Sequence, residues 1–267
     1  MDLTKKQILL TNDDGIDSPG LWAAAEALTA IGYVTVVAPR EHCSAMGRGF
    51  GRHEDGRIEI RKKIVHGQEW DAYAVGGTPS QVVLHGVLEV LGQKPELVVS
   101  GINYGENLSS DISYSGTVGA AIEAASLGIP ALATSLQILE KEWDTFFDLD
   151  FSVAAEFTRY FASRLLEKKM PPDVDLLNLV VPFNATPETP WQITRLSHGR
   201  YYNPYVIREG TWDDEGHFTS HIIVKDDLPE DSDIHTVIKK NLVSVTPVSI
   251  DMTSRANFND LDTLLRA

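Results

Sequence analysis

Over its first 136 residues the chain repeats one pattern: a short apolar run, a longer stretch with an apolar face, then glycine or proline. Gln7–Thr11, Tyr33–Ala38, Glu96–Ser100 and Ala131–Ser135 read as buried strands. Pro19–Ile31, Thr78–Leu91 and Gly116–Leu127 read as helices, the first with Pro19 in its opening turn and Gly32 past its end. Leu21, Trp22, Ala25 and Leu28 share one face of that helix. Strands that are apolar throughout are covered on both sides, and strands that alternate with helices pair in parallel. The pattern therefore predicts an α/β protein with a mostly parallel sheet between two helical layers.

Residues Gly47–Tyr73 interrupt this order, and the alternation in Arg57–Val65 predicts an exposed loop followed by a β-ribbon. The second half is less regular. Phe151–Leu166 and Asp231–Lys240 read as helices, and Leu176–Val181 and Leu242–Thr246 as strands. Short β-like pieces at Trp191–Leu196, Tyr201–Ile207 and His217–Val224, separated by turn residues, predict hairpins. The aromatic residues Trp191, Tyr201, Tyr202 and Tyr205 read as core or interface packing. No linker divides the 267 residues. They are expected to form a single domain, with residues 1–136 as the core carrying the catalytic loops. Residues 137–267 complete that core and add a C-terminal β-hairpin and helix extension.

The first strand runs straight into Asn12-Asp13-Asp14-Gly15, with Ser18-Pro19-Gly20 opening the helix behind it. In open α/β sheets that carboxyl edge is where ligands bind. Adjacent aspartates repel each other at neutral pH and call for a cation. The same four residues all favour turns, so locally both readings stand. The segment Pro39-Arg40-Glu41-His42-Cys43-Ser44 follows the second strand, and Ser100-Gly101-Ile102-Asn103-Tyr104-Gly105-Glu106-Asn107 follows the strand Glu96–Ser100. If these strands are neighbours, Asp13, Asp14, Ser44 and Asn103 offer oxygens to one point. A donor set without thiolate or imidazole favours Mg²⁺ or Mn²⁺ over Zn²⁺.

Tyr114-Ser115-Gly116-Thr117-Val118-Gly119 and Gly76-Gly77-Thr78-Pro79 each open a helix, and the free N–H groups of a helix start suit a phosphate. Ordinary Ser or Thr capping is the better reading of each taken alone, and a metal site on the same edge strengthens the phosphate reading. Among the histidines, His85 reads as packed, while His42 and His53 lie in loops that could approach the site. Cys43, the single cysteine, excludes an intrachain disulfide and reads as a small buried filler. A formal net charge of -15 repels nucleic acid polymers along their length. The N-terminus shows no signal-peptide run and no segment reaches the length of a membrane span, so a cytoplasmic protein without membrane contact is expected.

These blocks resemble the survival protein SurE family. Asn12-Asp13-Asp14-Gly15-Ile16 is similar to its opening motif, and Ser100 to Asn107 to its S-G-I-N-x-G-x-N stretch. Asp111 with Tyr114 to Glu123 is similar to its D-x-x-Y-S-G-T-V-G-A-A-x-E stretch. Gly77-Thr78-Pro79 and Ser244-Val245-Thr246-Pro247 fit as well. The resemblance implies a Rossmann-like three-layer sandwich and a 5′-nucleotidase acting on nucleoside monophosphates, with 3′-nucleotidase and exopolyphosphatase activity within the same expectation. It implies one divalent metal ion per subunit on Asp13, Asp14, Ser44 and Asn103, and self-association into a homodimer or homotetramer through the C-terminal extension. Asp13, Asp14 and Asn103 become the catalytic residues, with Asn103, Asn107, Ser115, Gly116 and Thr117 holding the phosphate. Two departures stand out: Cys43-Ser44-Ala45 where the family has Ser-Gly in a basic stretch, and Ser80-Gln81-Val82 where it has an acidic residue and a cysteine.

Other classes fit less well. A haloacid-dehalogenase-like phosphatase needs an aspartate nucleophile where Asn12 stands, and asparagine forms no acyl phosphate. A non-enzymatic phospho-receiver module needs an aspartate at the strand end occupied by Val75-Gly76-Gly77. A dinucleotide-dependent oxidoreductase needs G-x-G-x-x-G after the first strand. The basic residues Arg48, Arg52, Arg57, Arg61, Lys62 and Lys63 read first as a solvated ribbon blunted by Glu54, Asp55 and Glu59, and otherwise as a guide for short polyphosphates or oligonucleotides.

Overall fold

The computed structural model describes residues 6–51, 55–139 and 149–266; Arg52, His53 and Glu54 lie outside them. In chain order the elements are β1 (Lys6–Thr11), α1 (Pro19–Leu28), β2 (Gly32–Pro39), β3 (Ile58–Val65), β4 (Gln68–Val75), α2 (Pro79–His85), β5 (Leu97–Tyr104), α3 (Gly116–Ser126), β6 (Ala131–Leu136), α4 (Ser152–Glu167), β7 (Leu176–Val181), β8 (Trp191–Ile193), β9 (Tyr202–Arg208), β10 (Gly216–Ile222), β11 (Val243–Val248) and α5 (Phe258–Arg266).

A nine-stranded sheet runs β3-β4-β2-β1-β5-β6-β7-β11-β8, and β9 with β10 forms a separate ribbon. The pairs from β4 to β7 are parallel. Residues alternate across the sheet as a pleat requires. Ile8 and Leu10 join one buried cluster with α1 and α4, and Leu9 joins the opposite cluster with α2 and α3. This is the expected three-layer α/β sandwich.

From β1 the chain crosses to β2 on one side and later returns to β5 on the other. The strand order reverses at β1, so the loops after β1 and β2 and the end of β5 meet at a topological switch point.

Several boundaries differ from the sequence reading. Strand β5 continues through Asn103 to Tyr104, with a register shift against β6 between Ser100 and Asn103; Asn103 thus lies on a strand end. The helix expected over Thr78–Leu91 is α2 followed by a π turn at Gly86–Val90, and the one over Asp231–Lys240 contains a π turn at His235–Lys239. The ribbon β3–β4 joins the main sheet, because β4 pairs with β2 at Val37–Pro39. Of the late short pieces only β9 and β10 pair as a hairpin; β8 lies parallel to β11. The aromatic group divides: Tyr201 is buried, Trp191 packs edge-on against Phe161, and Tyr205 is exposed. Among the described residues no helix is long and apolar enough to cross a membrane.

Candidate active site

The turn after β1 is built by Asn12. Its amide donates to the Gly15 carbonyl at 3.0 Å and accepts from the Gly15 N–H at 3.2 Å, and Gly15 takes φ +98°, a conformation costly for any side chain with a Cβ. Asn12 is thereby spent on structure. Asp13 and Asp14 are left facing opposite supports.

Asp13 is buried against the start of α3. Its Oδ1 accepts from the Thr117 hydroxyl at 2.5 Å, and the Thr117 backbone also bonds to the carboxylate. A Cβ at Gly116 would lie 2.7 Å from Asp13 Cβ and 2.8 Å from Oδ2, so only glycine lets α3 approach this closely. Asp14 Oδ2 accepts from the Tyr104 N–H of β5 at 2.9 Å. Burial pushes the Asp13 carboxyl up, with Thr117 opposing it. Burial, then the charge of Asp13, pushes Asp14 well above the ordinary carboxylate range.

Ser44 lies on the loop after β2, as the sequence reading had it, and Asn103 lies at the end of β5 rather than in the loop beyond it. The Cys43 N–H donates to the Asp13 carbonyl at 2.8 Å, which ties the Ser44 loop to the end of β1. Cys43 itself is half-buried. Asn103 Nδ2 donates to the Gly105 carbonyl at 2.7 Å, which leaves its Oδ1 as the acceptor. His42 was not among the expected ligands, yet its Nε2 lies 3.6 Å from Asp14 Oδ1 and 2.5 Å from Ser44 Oγ. Among the described residues it is the one basic side chain within ion-pairing reach of either aspartate.

Asp13, His42, Ser44, Asn103, Asn107 and Ser115 line a cleft of about 720 Å³. That falls within the roughly 300–1,000 Å³ of small-molecule sites. Its far wall comes from the late ribbon, with Tyr202, Pro204 and Phe218, and Arg200 beside them. Asn107 holds its place through its backbone, donating from N–H to Ser135 Oγ at 3.2 Å and accepting from Asn178 at 2.9 Å. Its buried Nδ2 has no hydrogen-bond partner. An unpaired buried donor is costly unless a ligand completes it. The Ser115 hydroxyl caps α3 by accepting from the Val118 N–H at 3.2 Å. Gly116 and Thr117 face Asp13 rather than the cleft. Tyr114 also lines the cleft; burial, then the nearby Asp111, pushes its phenol up to about 12.

This donor set suits a hard divalent cation. Two buried carboxylates stand side by side, with an amide oxygen and a hydroxyl nearby, and a cation would offset the burial and repulsion that both carboxylates bear. Among the described residues no three His, Cys, Asp or Glu side chains converge, so a zinc-type nitrogen and sulfur cage is lacking there.

Sequence reasoning missed Thr117 as the support of Asp13, since 104 residues separate them. It also missed the wall built by Tyr202 and Phe218, for which no local signal exists. The position of His42, two residues before Ser44, was the one available hint of its approach.

The family profile described as Survival protein SurE matches residues 8–203. The chain is 41% identical over 266 residues to the 5′-nucleotidase SurE of Methanocella arvoryzae, covering 97% of this chain and 98% of that one. It is 42% identical over 264 residues to the 5′-nucleotidase SurE of Thermococcus kodakarensis, covering 98% and 99%. The crystal structure of the SurE protein from Aquifex aeolicus superposes with a TM-score of 0.74 at 31% identity, covering 98% of this chain and all of the other.

Proposed function

The chain belongs to the survival protein SurE family, and we propose that it is a metal-dependent phosphomonoesterase releasing phosphate from nucleoside monophosphates, a 5′-nucleotidase. One observation carries this reading. Asp13, one of two buried adjacent carboxylates, and Asn107, whose buried Nδ2 has no hydrogen-bond partner, line one mononucleotide-sized cleft at the switch point of the sheet.

Asp13, Asp14, Ser44 and Asn103 would hold one Mg²⁺ or Mn²⁺ per subunit. Bound there, the ion would polarise the phosphate ester and lower the pKa of an attacking water. Thr117 keeps Asp13 aimed, and the Tyr104 N–H does the same for Asp14. Asn107 Nδ2 donates to a phosphate oxygen, and Ser115 lies on the same wall. Arg200, Tyr202 and Phe218 meet the nucleoside end, where aromatic rings offer a base a stacking surface.

These groups grip one phosphoryl group and make no demand on ester position, so the reading extends to 3′-nucleotides and to the terminal phosphate of short polyphosphates. Long nucleic acids are disfavoured, since a net charge of -15 repels them. The ribbon offers them little: Arg48 pairs with Glu123, Arg61 with Glu59, Lys62 with Asp71, and Lys63 with Asp17. A homodimer or homotetramer fits the exposed apolar residues of the late ribbon and α5, and a cytoplasmic location fits the lone cysteine. Phosphate release from a panel of 5′- and 3′-nucleotides, with Mg²⁺ or Mn²⁺ and with EDTA, tests the reading. It expects turnover of 5′-monophosphates that the chelator abolishes; turnover of none of them would refute it.

A further inference from the structure

In a chain of net charge -15 a cation has acidic partners close at hand, and most of the basic residues near the cleft use them. Arg40 meets Asp55 and Glu59, Arg48 meets Glu123, and Lys62 meets Glu69. Arg200 differs. It is exposed and lines the cleft, and among the described residues no carboxylate lies within ion-pairing distance of it. It is also the one lysine or arginine among the described residues of the cleft lining.

Its place in the wall is fixed by its neighbours. The Ser110 hydroxyl donates to the Gly199 carbonyl at 2.5 Å, and the Tyr201 N–H donates to Asp111 Oδ2 at 2.8 Å. The chain is thus tied to the core on both sides of Arg200. Asp111 Oδ2 is occupied by the N–H groups of Tyr201 and Tyr202. The charge of Arg200 opposes the rise of the Tyr114 phenol, which sets the guanidinium near a second residue of the cleft. The ribbon adds a hydroxyl. Side chains alternate along β9 and β10, and Tyr202, Pro204, Phe218 and Ser220 share the face turned to the cleft.

The cleft therefore offers anion donors at two places, Asn107 with Ser115 near the carboxylates and Arg200 with Ser220 at the nucleoside end. A base and a neutral ribose call for no full positive charge. A second phosphate does, and the planar guanidinium fork matches its oxygens. We propose that Arg200 and Ser220 bind a second phosphate of the substrate, so that nucleoside 3′,5′-bisphosphates are taken in preference to 5′-monophosphates; this rests on the reading that the Asp13 end hydrolyses a phosphomonoester. Water adds to the phosphorus of the 5′-phosphate, the bond from phosphorus to the ribose oxygen breaks, and that oxygen takes up a proton. The products are inorganic phosphate and the nucleoside 3′-monophosphate, whose remaining phosphate stays on Arg200. The contact is the same before and during the reaction, so it acts on KM rather than on kcat.

The test is steady-state hydrolysis by the full chain with Mn²⁺, using adenosine 5′-monophosphate and adenosine 3′,5′-bisphosphate, with the products separated. In wild type the KM for the bisphosphate is expected about tenfold below that for the monophosphate, with kcat values within about threefold. Arg200→Gln should raise the KM of the bisphosphate about tenfold more than that of the monophosphate, and Arg200→Lys, which keeps the charge, should retain part of the preference. A bisphosphate KM equal to or above that of the monophosphate in wild type overturns the inference and leaves the monophosphatase reading standing. A preference that survives intact in Arg200→Gln, or loss of the 3′-phosphate in place of the 5′-phosphate, also overturns it. Turnover of neither substrate removes both readings.

Discussion

Asp13 and Asp14 adjoin in the chain but answer to different elements, Asp13 to Thr117 of α3 and Asp14 to the Tyr104 N–H of β5. The separate supports keep two like charges aimed while burial and mutual repulsion push both carboxyls up. Without metal that arrangement costs stability, because a buried charge without a partner is penalised. Asp13→Asn and Asp14→Asn should therefore lose turnover, yet melt without metal no lower than wild type. Calorimetry on EDTA-treated protein checks this; a large fall in melting temperature would mean that the carboxylates are structural. Gly116 offers an independent probe. A methyl group there collides with Asp13 at 2.7 Å, so Gly116→Ala should displace the carboxylate and cut kcat/KM by about 10²-fold. Wild-type kinetics in that variant would show that the position of Asp13 does not matter.

The late ribbon is tied to the core through Glu106 and Asp111. Glu106 accepts from the Tyr201 hydroxyl at 2.7 Å and the Ile138 N–H at 3.1 Å, and Asp111 accepts from the backbones of Tyr201 and Tyr202, each at 2.8 Å. Burial raises Glu106 above its ordinary 4.5, with Tyr201 opposing. The folded state then holds this proton more tightly than the unfolded chain. The group's contribution to stability is accordingly lost as pH rises from 4.5 through the folded value. Wild type should lose more melting temperature across that interval than Glu106→Gln, and parallel slopes would contradict it. Beyond this anchor the elements are bare: Trp212 is 92% exposed, Phe218 83%, and Leu264 and Leu265 of α5 about three quarters. An isolated two-stranded ribbon is marginal in water, so a second subunit should cover it. Light scattering should give a dimer or larger at micromolar concentration, and a monomer mass would contradict that. The strands of the core were legible because burial on both faces leaves uninterrupted apolar runs such as Ile8-Leu9-Leu10. Helix α5 was overlooked although Phe258, Leu261, Leu264 and Leu265 recur at helical spacing; none of them is fully buried within this chain. The β5 extension was hidden by Gly101, which reads as a strand end yet lies inside one.

At the scale of the whole molecule the sheet order does the assembling. Reversal at β1 brings a turn from residue 12, a loop from residue 40 and a strand end at residue 103 to one edge, and the return of the chain through β9 and β10 closes the opposite wall. The residues on that edge were readable from motif and chemistry: Asp13, Asp14, Ser44 and Asn103 all stand there. The cleft's outer wall was not, because it depends on where a distant ribbon folds back. A net charge of -15 repels long polyanions, which agrees with the proposed reading of mononucleotides as substrates. The central claim is that nucleotide hydrolysis runs on a cation held by Asp13 and Asp14. Its most direct test is phosphate release from a nucleoside 5′-monophosphate by wild type and Asp13→Asn, each with Mn²⁺ and with EDTA. Turnover is expected only in wild type with metal; equal turnover in EDTA, or in Asp13→Asn with metal, would contradict that role for the cation.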